Sequence, residues 1–186
     1  MNTDKTLYPS KSSPELKTAL LAHGINVESC YQCGRCSGGC PIAPHFDLLP
    51  MEVVRLSAMG MEEPIVKSHT IWLCASCETC TSRCPNGIDI ALMMDALREY
   101  TLDKGYKPAE PKIVAFHKSY LNVIKRWGRI FEVELFVEYK TRAFDFFTDM
   151  AMGMKLFFQG KLRLIPEPMK DRKAIREIYN KERKEK

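Results

Sequence analysis

The chain has 186 residues, 45% of them hydrophobic, enough to bury a core without covalent staples. No run reaches the roughly 18 apolar residues of a membrane span. Residues 1–13 lack the apolar stretch of a signal peptide, so the expected location is cytoplasmic, where thiols stay reduced. The formal net charge of +5 is matched by residues 161–186 alone, where ten Lys/Arg face five Asp/Glu. The acids are interleaved and Tyr179 is the lone aromatic there, which points to a solvated or partner-docking helix rather than to nucleic acid.

In chain order, residues 1–13 read as a flexible leader. Ser12 with Glu15 fits a capping box, and Pro14 suits a first helical turn. That helix runs through Leu16, Ala19 and Leu20 to Gly24. Cys30 to Pro41 follows, in the form C-x2-C-x2-C-x3-C-P. The stretch Ile42 to Leu49 is too broken by proline for a long element. Pro50 opens a second helix, with Val53, Val54 and Leu56 as candidate core, ending near Gly60. Pro64 starts another short helix. Thr70 to Leu73 leads into Cys74, and Cys74 to Pro85 repeats the first cysteine pattern. Asn86-Gly87 is a turn, and Asp89 caps a helix that closes at Gly105. Pro108 and Pro111 mark a junction. Helical patterning then resumes to about Lys140, interrupted near Trp127-Gly128-Arg129. An apolar stretch spans Phe144 to Phe158 and ends at Gly160. Residues 162–168 read as an extended linker, and Asp171 to Lys186 as a short charged helix.

The two cysteine runs use all eight cysteines of the chain. A [4Fe–4S] cubane offers four irons, each needing one thiolate, and two-residue spacers let three cysteines wrap one face of it. In two-cluster ferredoxins the fourth cysteine of each run serves the other cluster. On that pattern Cys30, Cys33, Cys36 and Cys84 hold one cluster, and Cys74, Cys77, Cys80 and Cys40 hold the second. Zinc also accepts four thiolates, but its sites pair two C-x2-C knuckles across a longer gap. The four histidines, His23, His45, His69 and His117, lack ligand-like spacing.

Small residues in the loops, Gly34, Gly38, Gly39 and Ala75, let backbone N–H groups approach the cluster sulfurs and so set the potential. Arg35 and Arg83 are candidate charge tuners, with surface arginine as the plainer alternative. Trp72 and Tyr31 are candidate shields against water. There is no phosphate loop, no H-E-x-x-H and no nucleophile elbow. No cysteine remains as a nucleophile. The chain can carry electrons but has no evident means of transforming a substrate.

The runs are separated by helical rather than alternating sequence, which sets the fold class as mainly α. We expect an α-helical ferredoxin domain at 14–106 with two [4Fe–4S] clusters, then a helical extension at 107–160 and a linker and basic C-terminal helix at 161–186. The Phe- and Met-rich region 111–160 is either core or a partner-docking face.

The segments Cys30 to Pro41, Ile71 to Cys80, Trp127 to Glu132 and Gly160 to Pro166 resemble the C subunits of the soluble heterodisulfide reductases of methanogenic archaea. The resemblance runs over roughly 14–180. It implies an iron–sulfur protein that relays electrons from the flavin-bearing A subunit, which bifurcates them, to the catalytic B subunit. The latter reduces the disulfide of coenzyme M and coenzyme B. A hydrogenase or formate dehydrogenase module would supply the electrons. All eight cysteines match that pattern. The cysteine runs also occur in iron–sulfur subunits of respiratory or quinone-linked dehydrogenases, the alternative reading. Succinate-type subunits, however, usually add a [2Fe–2S] domain with further cysteines, absent here.

Overall fold

The structure, a computed structural model, describes residues 12–143, 159, 169 and 171–182. The leader up to residue 11, the apolar stretch 144–158 and the linker 162–168 lie outside the described residues. Among the described residues every regular element is helical. The chain divides into two compact units, residues 1–110 and 111–186.

In the first unit, α1 (Pro14–Ala22) is followed by a 3-10 turn at Val27–Ser29 and by the single-turn α2 (Arg35–Gly38) inside the first cysteine run. A second 3-10 turn, Ala43–His45, occupies the Pro-broken stretch. Then come α3 (Pro50–Ala58), α4 (Glu62–Val66), α5 (Thr70–Leu73), the single-turn α6 (Thr79–Ser82) inside the second run, and the long α7 (Ile90–Asp103). Helix α7 is the axis of the unit. It packs against α1, α4, α5 and α6. Leu16 and Leu20 of α1, Val53 and Val54 of α3, Ile65 of α4, Ile71 of α5 and Met93, Met94 and Leu97 of α7 are all buried. Their burial supplies most of the driving force for a unit whose shortest helices could not persist alone.

Helix α7 starts where the sequence places it: the Asp89 carboxylate accepts from the Leu92 amide at 2.9 Å. Helix α3 is capped from inside, with the Leu49 amide donating to the Glu52 carboxylate at 2.7 Å. The start of α1 differs from expectation. Its N-cap is Ser13, which makes no side-chain cap bond, and the Ser12 hydroxyl donates instead to the Met59 carbonyl at 3.1 Å. Pro14 takes the first helical position, which makes Ser13 the N-cap, and Ser12 is left to pair with the Met59 carbonyl at the end of α3. Gly60 permits this approach: it has φ +67°, and a Cβ there would sit 2.7 Å from Ser12 Oγ. Helix α4 begins at Glu62, two residues before Pro64, which the first turn tolerates.

The second unit contains α8 (Pro111–Trp127), α9 (Glu132–Ala143) and α10 (Arg172–Glu182). Helices α8 and α9 form a hairpin, and α10 packs on α8. The break falls at Gly128, with φ +79°. The hairpin is held by Phe116 edge-on to Tyr139, ring centroids 5.7 Å apart, by Asn122 donating to Glu138 at 2.8 Å, and by the Trp127 indole N–H donating to Glu134. Phe116, Leu121, Ile130, Phe136 and Val137 remain exposed.

Candidate iron–sulfur site

The two cysteine runs fold alike because their sequences repeat. In the first, Gln32 and Gly34 have φ of +63° and +74°; at the matching positions of the second, Ser76 and Glu78 have +48° and +58°. Each run therefore takes two left-handed residues before a one-turn helix. The left-handed region is unfavourable for a side chain by roughly 1 kcal/mol. Three non-glycine residues hold it here, the kind of local strain that collects at functional loops. The reward is visible in the first run. The Gln32 backbone amide points at Cys30 Sγ, 3.4 Å away, and its side-chain amide reaches the same sulfur at 3.5 Å. The Ile88 amide donates to Cys84 Sγ at 3.3 Å.

Two ties cross the runs. The Asn86 side-chain amide donates to the Ser29 carbonyl, bringing the end of the second run to the start of the first. The Asp47 carboxylate, just after the first run, accepts from the Ser68 hydroxyl at 2.7 Å and from the His69 and Thr70 amides at 3.0 Å, ahead of the second run. Helices α2 and α6 pack together between these ties. As a result Cys30, Cys33, Cys36 and Cys84 line one cavity, and Cys40, Cys74, Cys77 and Cys80 line another. Met51, Val54, Ile88 and Ile90 complete the first; Ile42, Phe46, Ala91 and Met94 help close the second.

The chemistry of this donor set fits a cluster better than a lone ion. All eight cysteines are free thiols. Among the described residues, no three His, Cys, Asp or Glu side chains converge as a single metal ion would require. The thiols stand around cavities instead. Burial pushes the Cys36, Cys74 and Cys80 thiols up, so thiolates there need the countercharge of bound iron. Cys77 is lowered, because the Thr79 hydroxyl and amide hydrogen-bond to it. Cys33 and Cys77 are exposed while Cys36 is buried, so each cavity reaches the surface at one corresponding thiol.

The candidate tuning residues separate by position. Gly34 lines the first cavity, and its left-handed φ is what the loop needs. Gly38 has nothing near its Cα that a methyl group would meet, whereas a Cβ on Gly39 would lie 2.6 Å from Arg83 Cδ. Arg83 therefore lies across Gly39, an exposed side chain clasping α2 to α6. Arg35 is exposed. Trp72 is buried in α5, and Tyr31 is 59% exposed; neither lines a cavity, and the water-excluding walls are aliphatic, Met and Phe side chains. Sequence reasoning missed Gln32, Asp47 and Arg98. The Arg98 guanidinium donates to the carbonyls of Ile71 and Cys74 and to Asp95 at 2.7 Å. An arginine inside a helix carries no sequence signal for such a role. Gln32 sits in a C-x2-C spacer, where any polar residue reads as loop.

Residues 26–88 match a family described as a 4Fe-4S dicluster domain. The chain is 34% identical over 91 residues to the iron-sulfur C subunit of the CoB–CoM heterodisulfide reductase of Methanopyrus kandleri, covering 49% of this chain and 47% of that one. It is 36% identical over 103 residues to the C subunit of the ferredoxin:CoB-CoM heterodisulfide reductase of Methanosarcina mazei, covering 55% of this chain and 63% of that one. With the C subunit of the H(2):CoB-CoM heterodisulfide,ferredoxin reductase of Methanothermobacter marburgensis the identity is 29% over 96 residues, 51% of this chain and 52% of the relative. The chain thus spans about half to under two thirds of these relatives' lengths, and the aligned stretches are shorter than the 14–180 of the sequence resemblance. The repeated loops, the two cysteine-lined cavities and the family match together make residues 26–88 a 4Fe–4S dicluster domain for two [4Fe–4S] clusters, in a chain similar to the C subunits of CoB–CoM heterodisulfide reductases.

Proposed function

We propose that this chain is the electron-relay component of a heterodisulfide reductase complex and catalyses no bond change itself. Electrons pass from the A subunit, which bears flavin and iron–sulfur centres, through this chain to the catalytic B subunit, which reduces the mixed disulfide of coenzyme M and coenzyme B. A hydrogenase or formate dehydrogenase module supplies them, and the complex works in the cytoplasm. The observation that carries the reading is the pair of cysteine cavities, each built from three thiols of one run and the fourth of the other.

In this reading Cys30, Cys33, Cys36 and Cys84 ligate one cluster, and Cys74, Cys77, Cys80 and Cys40 the second. Bound there, the clusters supply one-electron transfer. The chain's own residues do the rest. Gln32 donates to a ligand sulfur, which favours a more negative sulfur and hence the reduced state. The apolar walls exclude water. Gly34 lets the loop backbone approach, Arg35 and Arg83 place positive charge at the rim, and Trp72 anchors the helix that leads into Cys74. No described helix is long and apolar enough to cross a membrane. We assign docking to 107–160, supported by the exposed Phe116, Leu121, Phe136 and Val137, with 14–106 as the cluster domain and 161–186 as a basic tail.

Anaerobic purification of the tagged chain from its native cells tests the proposal. Co-recovery of flavin and disulfide-reducing subunits supports it. Recovery with a quinone-linked dehydrogenase alone overturns it.

A further inference from the structure

Behind the second cysteine loop, a cation on α7 is held against the backbone of that loop. Arg98 lies on α7, with its side chain only 13% exposed. Its Nε donates to the Ile71 carbonyl and one Nη to the Cys74 carbonyl, the first thiol residue of the second run. The other Nη pairs with Asp95 at 2.7 Å. Asp95 is 50% exposed and accepts weakly from the Ser76 hydroxyl at 3.3 Å. The pair is therefore lopsided: the cation is buried against the loop, and its counterion is solvated and screened.

We propose that Arg98 is a potential-setting residue for the cluster held by Cys74, Cys77, Cys80 and Cys40, biasing an incoming electron toward it. The inference rests on Cys74 being a ligand of that cluster. Reduction adds one negative charge to the cubane. A guanidinium bonded to the backbone of a ligand residue stabilises the reduced state more than the oxidised one. Arginine keeps its charge at every working pH, so the bias is permanent. The effect is local. Neither cavity has an arginine or lysine in its lining; Arg98 acts on the second through the Cys74 carbonyl, whereas Arg35 beside the first is exposed. The fork also fixes the entry to the loop, because one side chain binds carbonyls on both sides of Leu73. Charge and clamp are separable by substitution.

The test is an EPR-monitored redox titration of the full chain, purified anaerobically, with iron and sulfide assayed on each variant. Arg98→Met lowers one of the two midpoints by the equivalent of about tenfold in the reduction equilibrium, about 59 mV for one electron, and leaves the other in place. Arg98→Lys, which keeps the charge but not the fork, restores most of the shift. Asp95→Asn, at an exposed position that does not threaten folding, raises the same midpoint. Unmoved midpoints in Asp95→Asn and Arg98→Met at full iron content overturn the proposal. So does Arg98→Lys behaving like Arg98→Met, since the clamp alone would then be responsible. If Arg98→Met fails to assemble, Asp95→Asn decides by itself. Wild-type protein with zinc and no sulfide would instead overturn the cluster reading.

Discussion

The Asp47 carboxylate and the Thr70 hydroxyl lie 2.8 Å apart, joining the segment after the first cysteine run to the helix before the second. The Leu48 carbonyl lies 2.7 Å from the same hydroxyl and competes for its single proton, the Leu48 amide donates to that hydroxyl at 3.0 Å, and the Thr70 amide donates to Asp47 at 3.0 Å. Thr70 is fully buried, so water cannot replace Asp47 and Leu48 as its partners, although the Asp47 carboxylate is itself exposed on its other side. The knot sets where Cys74 enters its loop, and so which thiols share a cavity.

Asp47→Ala should destabilise the first unit by roughly 1–3 kcal/mol, because it removes the acceptor of buried donors on Ser68 and Thr70. The pH dependence has a definite sign. Burial pushes the Asp47 carboxyl up, but the Ser68 and Thr70 hydroxyls and the His69 and Thr70 amides outweigh it and bring it to about 2, against 3.8 for the free group. A lowered carboxylate stabilises the fold above its unfolded value and loses that contribution as pH falls from 3.8 toward 2. Urea unfolding of wild type and Asp47→Asn should therefore differ most above pH 5, roughly one unit clear of the unfolded value, and converge on acidification. A constant gap would count against this account.

Cys40→Ser should cost the cluster on the Cys74 side and spare its neighbour, since Cys40 lines the cavity of Cys74, Cys77 and Cys80. Cys84→Ser should do the reverse. Iron would fall by about half in each, leaving one cubane's complement. The two variants should retain different EPR spectra; an identical remaining signal in both would reject the crossed assignment.

Gly39→Ala should destabilise by no more than about 1 kcal/mol, below the range for a packed core, because the atoms its methyl group would meet at 2.6 Å belong to the far end of the exposed Arg83 side chain, which can move aside. Backbone strain is not the cause, as Gly39 has φ −104°. In an Arg83→Ala background the same substitution should be nearly neutral. Thermal melts of the four proteins form a double-mutant cycle, and additive effects would show that Arg83 is not the obstacle.

Removing iron with a chelator should loosen residues 26–88 well before α8 and α9. The loops depend on left-handed Gln32, Ser76 and Glu78 and on the one-turn helices α2 and α6, which have little to hold them once thiols need no longer converge. Limited proteolysis should cut first around Gln32 and Glu78. Equal protection of apo and holo protein would contradict this.

Much of this was legible in the residues. Asp89, Pro50, Pro111 and Gly128 mark element boundaries through local backbone chemistry, and local chemistry is what a sequence displays. The cysteine spacing is equally local: three thiols within seven residues must share one loop. The capping box of Ser12 and Glu15 failed because Ser12 found a partner in Met59, far along the chain. Trp72 reads as a shield from its neighbourhood in sequence, yet it lies in the core and lines neither cavity.

The sequence by itself determined the cofactor class and the helical fold, because thiol spacing, caps and turn residues act over a few positions. The crossed grouping of the thiols is also expected from the repeated spacing; the tertiary structure alone added the side chains that hold the two runs in that register and the charge that stands behind one of them. Asn86 reaches Ser29, Asp47 reaches Thr70 and Arg98 reaches Cys74 across gaps of 57, 23 and 24 residues. Contacts that distant are set by how α7 gathers the other helices around one buried core, and no short stretch of sequence displays that.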